Sequence, residues 1–269
     1  MSAASPTVPA LSFRDGGTIP QLGYGVFKVD PEVAADVTAQ ALEAGYRHID
    51  TAKIYGNEEG VGRAIADSGI AREDLFVTTK LWNDAHAFDD AIAACEASLE
   101  RLGLDYVDLY LVHWAVPEQG RYVEAWKALI ALQERGLVRS IGVSNYPRAQ
   151  LEEIIEATGT APAIHQIELH PYFQQRELRE VHERHGILTE AWGPQREPRP
   201  GGAGLASGPR HRHHPEVGHA LADRGEPHLR RRDAHARGGR GDRRPGPPRR
   251  PRRRGPGDQD RLRPDGAGA

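Results

Sequence analysis

Four residues spread over the first half of the chain, Asp50, Tyr55, Lys80 and His113, have the types that proton delivery to a carbonyl oxygen needs. A free phenol ionises near ~10 and is a poor acid at neutral pH. A nearby ammonium favours the phenolate and lowers that value, and a carboxylate keeps the ammonium charged and in place. Tyr55 is then the acid, Lys80 and Asp50 its tuners, and His113 a second hydrogen-bond donor to the same oxygen while hydride arrives at the carbon. Taken singly, each residue has a plainer reading: Lys80 as a solvated charge, His113 as a buried imidazole, Asp50 as the cap of the next turn. No nucleophile and base are placed to suit hydrolysis. The stretch His165-Gln-Ile-Glu168-Leu-His170 lacks the helical H-E-x-x-H order of a metalloprotease, and no metal site is expected.

The plainer readings weaken once the elements are considered. Short apolar runs predict strands over Leu22–Phe27, His48–Asp50, Leu75–Thr79, Val107–Val112, Val138–Val143, Ile164–Glu168 and Ile187–Trp192. Amphipathic stretches between them predict helices near Glu32–Ala44, Glu58–Ser68, Asp89–Leu102, Val123–Arg135, Arg148–Ala157 and Glu177–His185. Strict strand and helix alternation argues a parallel sheet with right-handed crossovers. The expected fold is α/β, a (β/α)8 TIM barrel truncated after the seventh strand. Residues 11–20, turning at Asp15-Gly16-Gly17, read as a hairpin that plugs the barrel bottom. A doubly wound sheet is the alternative, but no G-x-G-x-x-G follows the first strand. In such a barrel chemistry collects at the C-terminal strand ends. Asp50, Lys80, His113, Ser144, Asn145, Gln166 and Trp192 all fall there.

Composition divides the chain at Trp192-Gly193-Pro194. Residues 1–194 hold 16 Lys+Arg against 29 Asp+Glu, and residues 195–269 hold 19 against 9, so the overall −3 averages two unlike segments. Arg, Gly, Pro and Ala supply 52 of the last 75 residues, which contain no Lys, Ile, Asn, Phe, Tyr, Met or Trp. That bias is what GC-rich DNA yields in a frame never selected to encode a core, so an out-of-frame tail is the leading expectation. Five Leu and Val residues bury too little apolar area to offset ordering entropy, and the tail is expected to be disordered. A basic arm for nucleic acid is the competing reading, but no aromatic is interleaved for base stacking. Met1 to Pro9 is polar, and no membrane span is apparent, so a cytoplasmic protein is expected. The lone Cys95 falls on the helical stripe Ile92, Cys95, Leu99, Leu102 and reads as core.

Four segments carry a resemblance: Gly45-Tyr-Arg-His-Ile-Asp50-Thr-Ala-Lys-Ile-Tyr55-Gly-Asn-Glu, Val77-Thr-Thr-Lys80-Leu-Trp82, Asp108-Leu-Tyr-Leu-Val-His113-Trp and Ile141-Gly-Val-Ser144-Asn145. Over about residues 10–194 the chain resembles the aldo-keto reductases, particularly the bacterial 2,5-diketo-D-gluconate reductase group. The resemblance implies a monomeric barrel binding NADPH across its mouth and reducing aldehydes, ketones or small dicarbonyls. It implies Tyr55, Lys80, Asp50 and His113 as the catalytic set. Ser144, Asn145 and Gln166 would hold the nicotinamide carboxamide, with Trp192 against its ring. Trp82 and Trp114 would line the substrate pocket with His113, and Tyr24 and Phe27 would contribute. In the family an eighth strand and an Ile-Pro-Lys-Ser segment follow; residues 195–269 contain neither, so the grip on the adenosine phosphate is expected to be lost. The alternatives are a barrel remnant that binds nucleic acid through its tail, or a non-functional product of a damaged frame.

Overall fold

The computed structural model describes residues 8–193. The expectations for residues 195–269, their disorder and any nucleic-acid role among them, lie outside the described residues.

The first two strands, β1 (Ala10–Ser12) and β2 (Thr18–Pro20), form the expected hairpin, with Leu11 opposite Ile19. A parallel sheet follows: β3 (Tyr24–Gly25), β4 (His48–Asp50), β5 (Phe76–Leu81), β6 (Val107–Val112), β7 (Val138–Ser144), β8 (Ile164–Glu168) and β9 (Leu188–Trp192), hydrogen-bonded in chain order. Helices α1 (Ala34–Glu43), α2 (Glu58–Asp67), α3 (Phe88–Leu102), α4 (Tyr122–Glu134), α5 (Arg148–Thr158) and α6 (Arg176–His185) fill the crossovers. This sheet, with neighbours always consecutive, is a curled barrel wall. Among the described residues no strand joins β9 back to β3.

Side chains alternate across each strand, so one set faces the barrel interior and the other faces the helices. Phe13 and Ile19 from the hairpin pack with Phe76, Leu109, Leu111 and Ile164, closing the bottom of the interior. The helix-facing set, including Val77, Tyr110, Val112, Ile141 and Val143, packs against apolar stripes such as Ala125, Leu129 and Leu132 of α4. Gly142 permits the tight wall here, since a Cβ at that position would lie 2.5 Å from the Ile164 carbonyl oxygen.

Helix α3 shows how local sequence sets an element. Asp89 and Asp90 lie in its first turn and Arg101 in its last, complementing the helix dipole, and Gly103 ends it with φ +65°. Its buried stripe starts at Ala91 rather than Ile92, which is half-buried; Cys95 is fully buried, as expected. Burial drives the Cys95 thiol up to about 12, so it is no nucleophile at neutral pH. No helix among the described residues is long and apolar enough to cross a membrane.

Strand boundaries differ from expectation in two places that matter. The first barrel strand is only Tyr24–Gly25; Val26 makes a last bond to the Asp50 carbonyl oxygen, and its own carbonyl oxygen accepts from the Val29 N–H in a turn. The third runs on to Leu81, so Lys80 sits within the strand, paired in register with Leu111, and not beyond its end.

Candidate active site

Asp50 ends β4 and Lys80 lies two strand positions beyond Thr78 on β5, which pairs with Asp50, so both side chains enter the interior at one level. They are fully buried and form an ion pair, Lys80 Nζ to Asp50 Oδ1. Lys80 also donates to the Thr51 carbonyl oxygen at 2.9 Å, and Asp50 Oδ2 accepts from Gln166 Nε2 at 2.8 Å. A buried charge is tolerable only when so fully partnered. Burial pushes the Lys80 ammonium towards neutrality, but the Asp50 and Tyr55 charges outweigh it and the net pKa is raised.

Tyr55 sits on the single turn Lys53–Tyr55 after β4, and Gly56 ends that turn with φ +70°. Its ring lies 5.3 Å from Lys80 Nζ, 5.8 Å from the His113 ring and 5.0 Å from the Phe27 ring. The turn is held by a residue that sequence reasoning missed. Asn57 is buried and donates to the carbonyl oxygens of Val26 and Val29, at 2.9 and 3.2 Å, while accepting from Thr51 Oγ1 at 2.8 Å. One amide thus fixes the Tyr55 turn to the segment carrying Phe27.

The expectation that Lys80 lowers the Tyr55 pKa is only half met. Burial raises it, the charge and hydrogen bond of Lys80 oppose that, and the net direction is upward. Desolvation penalises the phenolate more than one ammonium, itself paired with Asp50, can repay.

His113 follows β6 directly, with its backbone N–H on the Leu81 carbonyl oxygen at 3.1 Å. Its ring meets Trp82 edge-on at 5.2 Å. Phe27, Tyr55, Trp82 and His113 therefore line one aromatic corner above the ion pair, and the neighbouring Trp114 is half-buried. Tyr24 is not brought into that corner. Alternation turns its ring onto Tyr46, at 5.2 Å edge-on, in the helix-facing core.

Ser144 and Asn145 close β7. Asn145 holds φ +56°, a conformation Asn adopts more readily than most residues. Its amide donates to Ser144 Oγ at 2.9 Å and to the His113 carbonyl oxygen at 3.2 Å, and its Oδ1 accepts from Trp192 Nε1 at 3.1 Å. Ser144, Asn145, Gln166 and Trp192 are thus joined to the Asp50 and His113 side of the mouth.

A second network underlies this one. The Tyr146 backbone N–H can only donate, so His165 Nε2, 3.1 Å away, accepts. His165 Nδ1 then carries its proton and donates to His182 Nε2 at 2.8 Å, and His182 Nδ1 donates to Thr189 Oγ1 at 2.7 Å. Burial keeps both imidazoles neutral, His165 well below its usual range and His182 down to about 4.

Residues 20–201 match the family described as the Aldo/keto reductase family. An aldo-keto reductase of Mycobacterium sp. (strain KMS) is 53% identical over 186 residues, which are 69% of this chain and 67% of that protein. The methylglyoxal reductase DkgA of Yersinia pestis is 50% identical over 186 residues, 69% of this chain and 66% of that protein. The crystal structure of an aldo/keto reductase from Brucella melitensis superposes with TM-score 0.68 at 55% identity, covering 69% of this chain and 73% of the other. A Gox0644 variant in complex with NADPH gives TM-score 0.66 at 49% identity, covering 69% and 67%. The likeness spans about two thirds of these relatives.

Proposed function

Since this chain belongs to the aldo/keto reductase family, we propose that it uses NADPH to reduce small aldehydes, ketones or dicarbonyls to alcohols, as a monomer in the cytoplasm. The buried Lys80 and Asp50 pair beneath the Tyr55 ring carries this reading. NADPH supplies the hydride. The donor set suits its nicotinamide: a hydroxyl from Ser144, amides from Asn145 and Gln166, and the flat indole of Trp192, already linked at one edge of the mouth. Relatives solved with NADPH or NADP bound support that assignment.

The roles follow from position. A carbonyl seated in the corner of Phe27, Tyr55, Trp82 and His113 lies against largely apolar surface, with Trp114 beside it and water displaced. His113 and Tyr55 direct hydrogen bonds at its oxygen, polarising the carbon. Tyr55 gives up its phenolic proton to that oxygen as the C–H bond forms. Because burial raises the phenol, Tyr55 stays protonated and ready to donate, and Lys80 stabilises the phenolate left behind. Asp50 keeps Lys80 charged throughout.

Methylglyoxal is a fitting first substrate, given the name of the Yersinia pestis relative. Adding NADPH and methylglyoxal to a frame-restored version should give the alcohol with one NADPH consumed per carbonyl. NADPH loss without alcohol, or neither, in that version refutes the proposal.

We further propose that residues 195–269 are read out of frame and that reduction by the chain as written is weak or absent. The family match ends at residue 201, close to the change in composition at Pro194. Reading the gene downstream of the Pro194 codon in its other two frames tests this. A strand and helix pattern with an Ile-Pro-Lys-Ser-like segment is expected, and its absence from both frames would overturn it.

A further inference from the structure

The ion pair under Tyr55 has a third charged neighbour that the mechanism above leaves unused. Glu190 on β9 is in register with Gln166 on β8, and neighbours in register share a face of the sheet. Gln166 reaches Asp50, so Glu190 enters the interior at the same level. One polar atom each from His48, Asp50 and Glu190 lies within 4.8 Å of the others. Glu190 Oε2 is buried and has no hydrogen-bond partner among the described residues.

Two carboxylates therefore face one ammonium. Among the described residues, the groups around Glu190 are His48 and Asp50 from β4, Tyr55 from the turn after it, Lys80 from β5 and the neutral amide of Gln166 from β8. The ionised Asp50 already takes the Lys80 charge, and two carboxylates this close, Asp50 buried and Glu190 half-buried, resist simultaneous ionisation. Burial and then Asp50 push the Glu190 carboxyl up to about 7, while Lys80 and Gln166 pull it back only partly. An ionised Glu190 also acts on the phenol, raising Tyr55 further.

We propose that Glu190 is a positioning residue that shares Lys80 with Asp50, and that losing its proton draws the ammonium's charge away from Tyr55. Protonated Glu190 leaves Lys80 to the phenol. Ionised Glu190 makes Tyr55 a poorer acid, so carbonyl reduction slows as pH rises through neutrality. The effect on reduction rests on the reductase reading, whereas the proton on Glu190 does not.

Glu190→Gln keeps the shape and removes the ionisation. The first readout is thermal unfolding of the full chain and of E190Q between about pH 4.5 and 8. A carboxyl whose pKa is raised by folding stabilises most below its unfolded value, and that stability is lost as pH rises to the folded value. The unmutated chain should therefore lose stability relative to E190Q between its ordinary carboxylate range and about 7, then run parallel. The second readout is the pH profile of kcat/KM with methylglyoxal. The two proteins should match at low pH, and E190Q should be several-fold faster above neutrality.

A stability difference that does not vary with pH would overturn the proposal. A difference that varies with pH while the kcat/KM profiles stay parallel would overturn the action on Tyr55. Absence of reduction in both proteins and in their frame-restored versions, with a pH-dependent stability difference, would refute the reductase reading and support the proton on Glu190. Should E190Q unfold, Glu190→Ala replaces it in both measurements.

Discussion

The indole N–H of Trp192 donates to Asn145 Oδ1 at 3.1 Å, joining residues 47 positions apart in the chain. It links the last described strand to the residue that also bonds the His113 backbone. Two parts of the mouth are therefore set by one side-chain amide.

Trp192→Phe retains a flat ring and removes the donor. We expect NADPH affinity to fall severalfold, because the ring placed against the nicotinamide is no longer held at its edge. Thermal stability should fall too, by roughly 1 kcal/mol or more, since the bond is internal to the chain and Trp192 is buried. Titration of NADPH fluorescence checks the first, and unfolding the second.

Lys80→Met should cost about 3–5 kcal/mol, because it leaves the Asp50 carboxylate buried without its cation. Adding Asp50→Asn should recover a large part of that loss. Urea unfolding of both single variants and the double variant gives the coupling energy directly. Additive losses would mean that the pair is not coupled.

Asn57→Ala removes two hydrogen bonds from the Tyr55 turn to the segment before α1 and a third from Thr51. A loss of about 1–3 kcal/mol is expected from the buried groups left unpaired. Reduction should suffer more in kcat than in KM, since the Tyr55 proton would be misplaced against the bound carbonyl. Steady-state kinetics beside urea unfolding separates the two effects.

The buried histidines give an acid-side pH dependence opposite in sign to that of Glu190. His182 is held at about 4, below its ordinary 6.5, so the unfolded chain binds more protons between those values. Stability from this site is complete above the ordinary value and is lost as pH falls towards about 4. His182→Asn should be less stable at neutral pH and should reduce this acid-side slope, checked by urea unfolding at several pH values.

These outcomes trace what the sequence could and could not reveal. The β6 boundaries were legible because the run Val107–Val112, apolar but for Asp108, ends at His113, and the β8 boundaries matched expectation as well. The β5 boundary was not, since Lys80 looks like a surface residue until β6 pairs alongside and Asp50 arrives from β4. Four separate strand ends gave away Asp50, Lys80, His113 and Ser144, because polar residues at those positions repeat along the chain. Asn57 and Glu190 carry no such local signal. Their roles depend on carbonyl oxygens and charges brought from distant strands, which only curling of the sheet supplies. The net rise of the Tyr55 pKa was hidden for the same reason, since burial around the phenol is a property of the closed corner.

The proposal that this chain delivers a phenolic proton to a carbonyl is tested most directly by Tyr55→Phe. NADPH oxidation with methylglyoxal and NADPH binding are to be measured side by side, for the chain as written and for a frame-restored version. Reduction should fall by about 10²–10⁴-fold in the variant of whichever form is active, with NADPH affinity unchanged. Equal turnover with and without the Tyr55 hydroxyl would contradict the account.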